Sequence, residues 1–439
     1  MAFTWQRTSL QAAGSRTDDI WFNDALTGWA VNSDGKVYKT EDGAENWNDQ
    51  EMFADSYLRC VTFSSDLNGW IGTLSGPHRL YRTQNGGESW IPVTGLPDNA
   101  PGRICGLIAV NDEVVFAAGT NYPNENAGVL RTTDGGNLWQ VLDLGVEPAL
   151  LVDIYFTDPL NGWVVGGIDE VNHPDRDTTR RDVIPAVFAT RDGGETWTNV
   201  VAANAEFGEF PRGEWGWKFQ KLSEETFLVS LENFLDGAIL RTDDGGASWE
   251  RLQINDQQRN ANLEGIGFID ADHGWVGGWG DLNFQGGYTS ETKDGGKNWK
   301  NANHVGFRLN RFRFIGNPVT VGYASGDTVY KLSETQGADV GALASSAEPL
   351  PAETSDPVKV TLEFDVPKDS ETLQIRIWER FGKEVRLLVD ETRPVVGPRT
   401  IEWDFTTDNG TPLDPGSFVV RVLTGNQSTS RVVHKLKST

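Results

Sequence analysis

Residues 241–249 read RTDDGGASW, and the phrase returns as KTEDGAENW (39–47), RTQNGGESW (82–90), RTTDGGNLW (131–139), TRDGGETW (190–197) and TKDGGKNW (292–299). Its closing tryptophans, Trp47, Trp90, Trp139, Trp197, Trp249 and Trp299, stand about 40–60 residues apart, the range in which one repeat is one blade of a β-propeller. The text ahead of each phrase also repeats. First comes a short alternating strand such as DIWF, CVTF, DIYF, GIGF or RFRF. A second strand often opens on Gly-Trp, as in GWAV (28–31), GWIG (69–72), GWVV (162–165) and GWVG (274–277). A third, such as KVYKT or AILRT, runs into the phrase.

Three strands and a Gly-rich hairpin into a fourth, headed by Trp, make a four-stranded blade. A seventh unit, FRLNRFRFIGNPVTVGYASGDTVYKLSE (307–334), has three strands and no phrase behind it. At the other end FTWQRT (3–8) carries Trp5 where a phrase would place its Trp. The expected fold is all-β: a seven-bladed β-propeller over 3–334, closed by the N-terminal strand pairing into the last blade. Such closure removes exposed sheet edges.

Within each phrase Gly permits positive φ, Asp accepts hydrogen bonds from turn amides, and Trp fills the gap between strands. Asp42, Asp134, Asp192, Asp244 and Asp294 are therefore read as scaffold. The phrases resemble the Asp-box, or bacterial neuraminidase repeat, Ser/Thr-x-Asp-x-Gly-x-x-Trp. Thr242, Asp244, Gly246 and Trp249 fit it, as do Thr190, Asp192, Gly194 and Trp197. The first box has Ala44 at the second Gly, and the second has Asn85 for Asp. With the preceding Gly-Trp strands, residues 3–334 look like propellers of the photosystem II stability/assembly factor type.

The chain has 439 residues, 17 Trp, 49 Gly and a formal net charge of −25. That charge argues against a nucleic-acid partner, which needs clustered Lys and Arg. No apolar run reaches membrane-spanning length. Cys60 and Cys105 match no metal-site spacing, and no cofactor or metal motif is present. If the alignment of inner strands places them side by side, a disulfide is open to them. MAFTWQRTSL lacks the regions of a signal peptide. The chain is then either cytoplasmic or a mature form whose leader is gone, and the C-terminal part favours the second.

That part begins with a polar, Ala/Ser/Pro-rich linker over 335–357. Residues 358–439 alternate apolar and polar through about six strands, the pattern of a small β-sandwich. They look like the Ig-like domain of flagellar hook-assembly proteins, on Trp403, Asp404, Gly410, Pro415, Gly416 and Phe418, with Phe405 in place of Gly. The closing STSRVVHKLKST resembles a type IX secretion sorting tail. The resemblance implies an extracellular, cell-surface or periplasmic protein and a surface-attachment role; a plain spacer is the other reading.

In a propeller the first strand of each blade lines the central channel. Aligning those strands on Phe22, Phe63, Ile108, Phe156, Phe219, Phe268 and Phe314 puts Ile20, Val61, Ile154, Trp217, Ile266 and Phe312 between blades. It puts Trp21, Tyr155, Lys218 and Arg313, and the ring of Asp19, Cys60, Cys105, Asp153 and Arg311, into the channel. Long segments at one mouth, 119–128, 167–185, 204–217 and 278–289, add Tyr122, Asp175, Arg176, Asp177, Arg180, Arg181, Glu209, Arg212, Glu214, Trp215, Trp279 and Tyr288, with Arg308 nearby. Arginine among aromatics suits a carboxylate, a sugar or a peptide.

The ligand-binding set is thus Trp21, Tyr155, Arg176, Arg180, Arg181, Arg212, Trp215, Lys218, Trp279, Tyr288, Arg308, Arg311 and Arg313. Replacing Arg181 or Arg311 is expected to weaken binding without changing melting. His78 and His173 are lone rim histidines. The leading function is a binding or assembly propeller for a protein or glycan. The alternative is a glycan hydrolase or lyase, whose catalytic candidates are Asp19, Asp153, Asp175, Asp177, Glu209 and Glu214. Carboxyl separations of about 5 Å or about 6.5–9.5 Å would mark retaining or inverting hydrolysis. The early Phe/Tyr-Arg-Ile-Pro motif of sialidases is absent.

Overall fold

The computed structural model describes the chain except residues 1–2, 124, 170–177, 205–209, 235, 259, 281–285, 335–358, 367, 369, 371, 380–383, 414–415, 425–426 and 436–439. It forms two compact units, Met1–Gln336 and Gly337–Thr439.

The first unit is a ring of seven four-stranded antiparallel sheets. Six are built from consecutive strands. The seventh takes three from the end of the propeller and its outer strand from the start, Phe3–Arg7 pairing with Val329–Glu334 from Phe3↔Glu334 to Arg7↔Tyr330. Trp5 then packs edge-on against Trp275 and Phe312, with ring centroids 5.5 and 5.7 Å apart. The unpaired Trp at the head of the chain thus completes a hydrophobic cluster laid down some 270 residues later.

Each box is a closed hydrogen-bonded turn. In the fifth, Thr242 Oγ1 accepts from Gly246 N at 3.0 Å, and Asp244 Oδ1 accepts from Ser248 N at 2.9 Å. Trp249 Nε1 donates to Gly246 O at 3.2 Å. The second glycine needs positive φ, 91–94° in boxes two to six; Ala44 is held there at 69°.

Boxes also bind blade to blade. In blades two, three and five the arginine ahead of the box Thr reaches the next blade's box carbonyl: Arg82 to Gly135 O (3.1 Å), Arg131 to Gly193 O (2.8 Å), Arg241 to Gly295 O (3.0 Å). Blade four has Ala189 at this position. Blade six has Glu291, which pairs with His273 and faces a seventh blade that carries no box.

The Gly-Trp openings have a steric cause. A Cβ on Gly28 would lie 2.4 Å from the Phe22 ring, and one on Gly69 would lie 2.5 Å from Phe63. The anchor ring lies flat on the glycine of its own hairpin and stacks on the neighbouring blade, as Phe63 does on Trp29 (3.6 Å) and Phe156 on Phe116 (3.6 Å).

The second unit has a two-stranded sheet, Val360–Val366 with Gly397–Trp403, and a four-stranded sheet built from Thr372–Glu379, Glu384–Thr392, Gly416–Thr424 and Gln427–Lys435. Trp403, Phe405 and Phe418 share one core with Leu373, Ile375 and Ile377. Phe405 adopts a positive φ (53°), a conformation that favours glycine, and is buried.

Candidate functional site

Strand order puts the box hairpins at one face of the ring and the blade-to-blade connections at the other; the second face is the mouth. Near the mouth the inner strands are bulged. Register shifts fall between Thr17 and Asp19, Leu58 and Cys60, Leu151 and Asp153, Gly216 and Phe219, and Leu263 and Gly265. A bulge leaves an extra residue unpaired and re-aims side chains beyond it. The channel is lined accordingly in layers.

In the middle layer Arg311 joins three blades. Its Nε donates to Asp19 Oδ1 at 3.0 Å; its Nη1 and Nη2 meet Asp153 Oδ2 and Oδ1 at 2.9 and 2.6 Å. Each carboxylate also caps an inner-strand amide of the next blade, Asp19 that of Val61 (3.1 Å) and Asp153 that of Phe219 (3.0 Å). Burial by itself would raise the Asp153 pKa; the Arg311 charge, followed by that of Lys218, overcomes it and holds the carboxyl down at about 2. Burial by itself would lower the Arg311 pKa; the Asp153 charge, followed by that of Asp19, raises it instead.

Asp19 and Asp153, two of the catalytic candidates, are thus both engaged by Arg311. Arg311 is buried between them, so replacing it is expected to lower melting, contrary to the expectation from sequence. Lys218 is buried in this layer, its ammonium pushed down to about 8 by burial and then by Arg311. Cys60 and Cys105 are buried free thiols, not a disulfide.

Nearer the mouth lies a second charged layer. Asp18 accepts from Arg16 (2.8 Å) and from Arg59; Glu264 accepts from Arg16 and from Trp279 Nε1 (3.0 Å). The Arg16 and Arg308 guanidiniums lie 4.7 and 4.8 Å from the Trp279 ring. Trp217, expected between blades, instead crosses the channel: its Nε1 donates to Asn310 Oδ1 at 3.0 Å, and Arg59 sits 5.1 Å over its ring. The two-residue bulge at Trp217–Lys218 is the reason.

The mouth continues as a ladder of cations and rings. Arg103 lies 4.5 Å over Tyr122; Arg180 lies 5.1 Å from Tyr122 and 5.4 Å from Trp215. Arg180 also donates to Asn121 O (2.8 Å), and Arg103 is forked onto Glu125 (2.7 and 2.9 Å). Tyr122 is 41% exposed. Arg181 is exposed beside Phe234, 5.7 Å away. Trp215 Nε1 donates to Glu232 at 3.0 Å, and burial together with the Glu264 charge lifts the Glu232 carboxyl to about 8.

The expected site residues separate. Arg180, Trp215, Trp279 and Arg308 belong to the mouth; Lys218 and Arg311 lie below it. Trp21, Tyr155 and Arg313 form a further group toward the box face, with Arg313 4.7 Å over Trp21. Arg212 is exposed and Tyr288 half-buried. Glu214 and Trp215, expected in a rim loop, are buried in the inner strand of blade five, and Glu214 is forked onto Arg251 (2.9 and 2.6 Å). Asp175, Arg176, Asp177, Glu209 and His173 lie outside the described residues. Sequence reasoning missed Asp18, Arg59 and Glu264, the extra residues of bulges that period-two alternation does not register, and also Arg16, ahead of its strand, and Glu232, on a second strand. Among the described residues no group of three or more His, Cys, Asp or Glu is arranged to hold a metal ion, and no helix is long and apolar enough to cross a membrane.

The family model "Photosynthesis system II assembly factor YCF48" matches residues 1–134. A photosystem II assembly lipoprotein Ycf48 from Synechococcus sp. (strain CC9902) is 27% identical over 305 residues, 62% of this chain and 85% of the relative. The solved structure "YCF48 bound to D1 peptide" superposes with a TM-score of 0.52 at 18% identity, covering 75% of this chain and 95% of that one. The Niastella koreensis GH74 enzyme gives a TM-score of 0.54 at 12% identity, over 97% and 73%. PorZ, a surface component of the type-IX secretion system of Porphyromonas gingivalis, gives 0.52 at 12%, over 98% and 61%. At these identities the solved structures establish a shared seven-bladed propeller fold and nothing of ligand or activity.

Proposed function

We propose that this chain is a protein-binding propeller of the assembly-factor kind, which holds a peptide segment of a partner protein at the channel mouth. The observation that carries the reading is the Arg103–Tyr122–Arg180–Trp215 ladder. Its arginines are pre-stacked on rings, and its outermost ring is the exposed one. A fixed guanidinium beside an exposed aromatic suits a carboxylate-bearing or carbonyl-rich peptide and loses little side-chain entropy on binding. The similarity to Ycf48 proteins, one of which is described as bound to the D1 peptide, supports a protein ligand over a glycan. The hydrolase alternative loses support, since Asp19, Asp153 and Glu214 are each tied to an arginine.

The finer reading of location rests on the C-terminal unit. In it residues 358–439 are an Ig-like surface-sorting domain, and the protein works outside the cytoplasm. The PorZ likeness agrees with that reading without carrying it.

A photo-crosslinking residue in place of Tyr122 tests the binding proposal. A polypeptide trapped by the full chain, and lost when Arg180→Ala is added, is the expected result. Labelling that is indifferent to Arg180→Ala refutes the mouth as the docking site. Deleting 337–439 is expected to keep the chain from the cell exterior in its native host; unchanged export refutes the sorting role.

A further inference from the structure

The channel contains two buried cations with donors left over. Lys218 Nζ has no hydrogen-bond acceptor among the described residues, and neither do Nε and Nη2 of Arg59. Lys218 and Arg59 are each 1% exposed. Arg59 lies 5.1 Å over the ring of Trp217, the residue before Lys218, and both cations act electrostatically on the same two thiols, Cys60 and Cys105. Two carboxylates of the middle layer are engaged: both oxygens of Asp153 bind Arg311 and one also caps Phe219, while Asp19 is shared between Arg311 and the Val61 amide. Asp18 Oδ1 takes both Arg16 and Arg59, by the latter's Nη1, while Asp18 Oδ2 is itself buried with no hydrogen-bond partner among the described residues.

A buried ammonium whose three donors find no acceptor is costly, although the Asp153 and Asp19 charges favour its charged form. We propose that the channel binds a small monovalent anion, of halide or formate size, between Lys218 Nζ and the free edge of the Arg59 guanidinium. Such an ion ties the inner strands of blades two and five together across the channel, beneath Trp217. It is a different place from the mouth ladder and uses none of its residues, so it stands whether or not a peptide binds there. The lowered proton affinity of Lys218 agrees with it: without an anion, burial and Arg311 oppose the charge.

Bromide is the probe. In crystals of the full chain grown with sodium bromide, an anomalous peak is expected within hydrogen-bonding distance of Lys218 Nζ. In solution at constant ionic strength, exchanging chloride for the bulky gluconate anion is expected to lower the melting temperature, by about 2 °C per tenfold of chloride in the saturating range. Lys218→Met is expected to abolish that dependence. Bromide found only on the surface overturns the proposal, as does a chloride dependence that persists in Lys218→Met. If that variant does not fold, the anomalous measurement on the unaltered chain decides alone.

Discussion

Arg311→Met removes a guanidinium that joins blades one, four and seven. The side chain is 7% exposed and makes three hydrogen bonds of 3.0 Å or less to Asp19 and Asp153. Breaking a buried pair by deleting one partner costs about 3–5 kcal/mol, because the other charge stays buried. Asp153 gives a partial check. Its fall from 3.8 to about 2 is roughly two pKa units, worth roughly 2–3 kcal/mol.

Since the folded pKa is the lower one, that stabilisation is complete above the unfolded value and is lost as pH falls from about 4 through 2. A propeller unit of 336 residues has an unfolding entropy of roughly 0.7 kcal/mol/K, so the variant should melt about 4–7 °C lower at pH 7. Calorimetry of wild type, Arg311→Met, Asp153→Asn and the double variant reads the coupling directly. With Arg311 gone, Asp153→Asn should cost little or restore stability, because the asparagine carbonyl still caps Phe219 without a stranded charge. Melting of Arg311→Met within 1 °C of wild type would refute the reasoning. So would strict additivity in the double variant.

Lys218 has a folded pKa below its unfolded one, so in chloride-free buffer stability should rise as pH climbs from about 8 toward 10; Lys218→Met should flatten the rise in urea midpoints. Glu232 has the opposite sign for an acid held neutral: stability should fall as pH rises from about 4.5 toward 8, and Glu232→Gln should remove that slope. Gly194→Ala puts a Cβ 2.4 Å from Leu142 at a φ of 91° and should cost about 1–2 kcal/mol or more, read by thermal melting. Tyr122→Ala, at an exposed ring, should leave melting within 1 °C while weakening partner binding about tenfold or more.

Much of the fold is legible because it depends on local chemistry. A box needs Thr and Asp oxygens for its amides, a glycine at positive φ and a ring to cover the turn, and all four lie within eight residues. The anchor Phe and the Gly that accepts it are likewise a few residues apart on one hairpin. The candidate site reads less well. Asp19, Asp153 and Arg311 are correctly placed facing one channel by period-two alignment, but their mutual binding joins residues up to 292 positions apart. Trp217 and Glu214 are misplaced for another reason: a bulge shifts the alternation, and the chain text gives no sign of where pairing slips.

The sequence by itself determined the blade count, the closure through Trp5 and the scaffold role of the boxes, because repeats write short-range geometry many times over. Only the tertiary structure decided which charges are spent and which are left for a ligand. Closing the ring brings seven inner strands into one channel. There Arg311 engages the two acids that looked catalytic, Arg16 and Arg59 share Asp18, and Lys218 has donors with no acceptor among the described residues. Those outcomes depend on through-space distances fixed by bulges and ring closure, which no local pattern encodes.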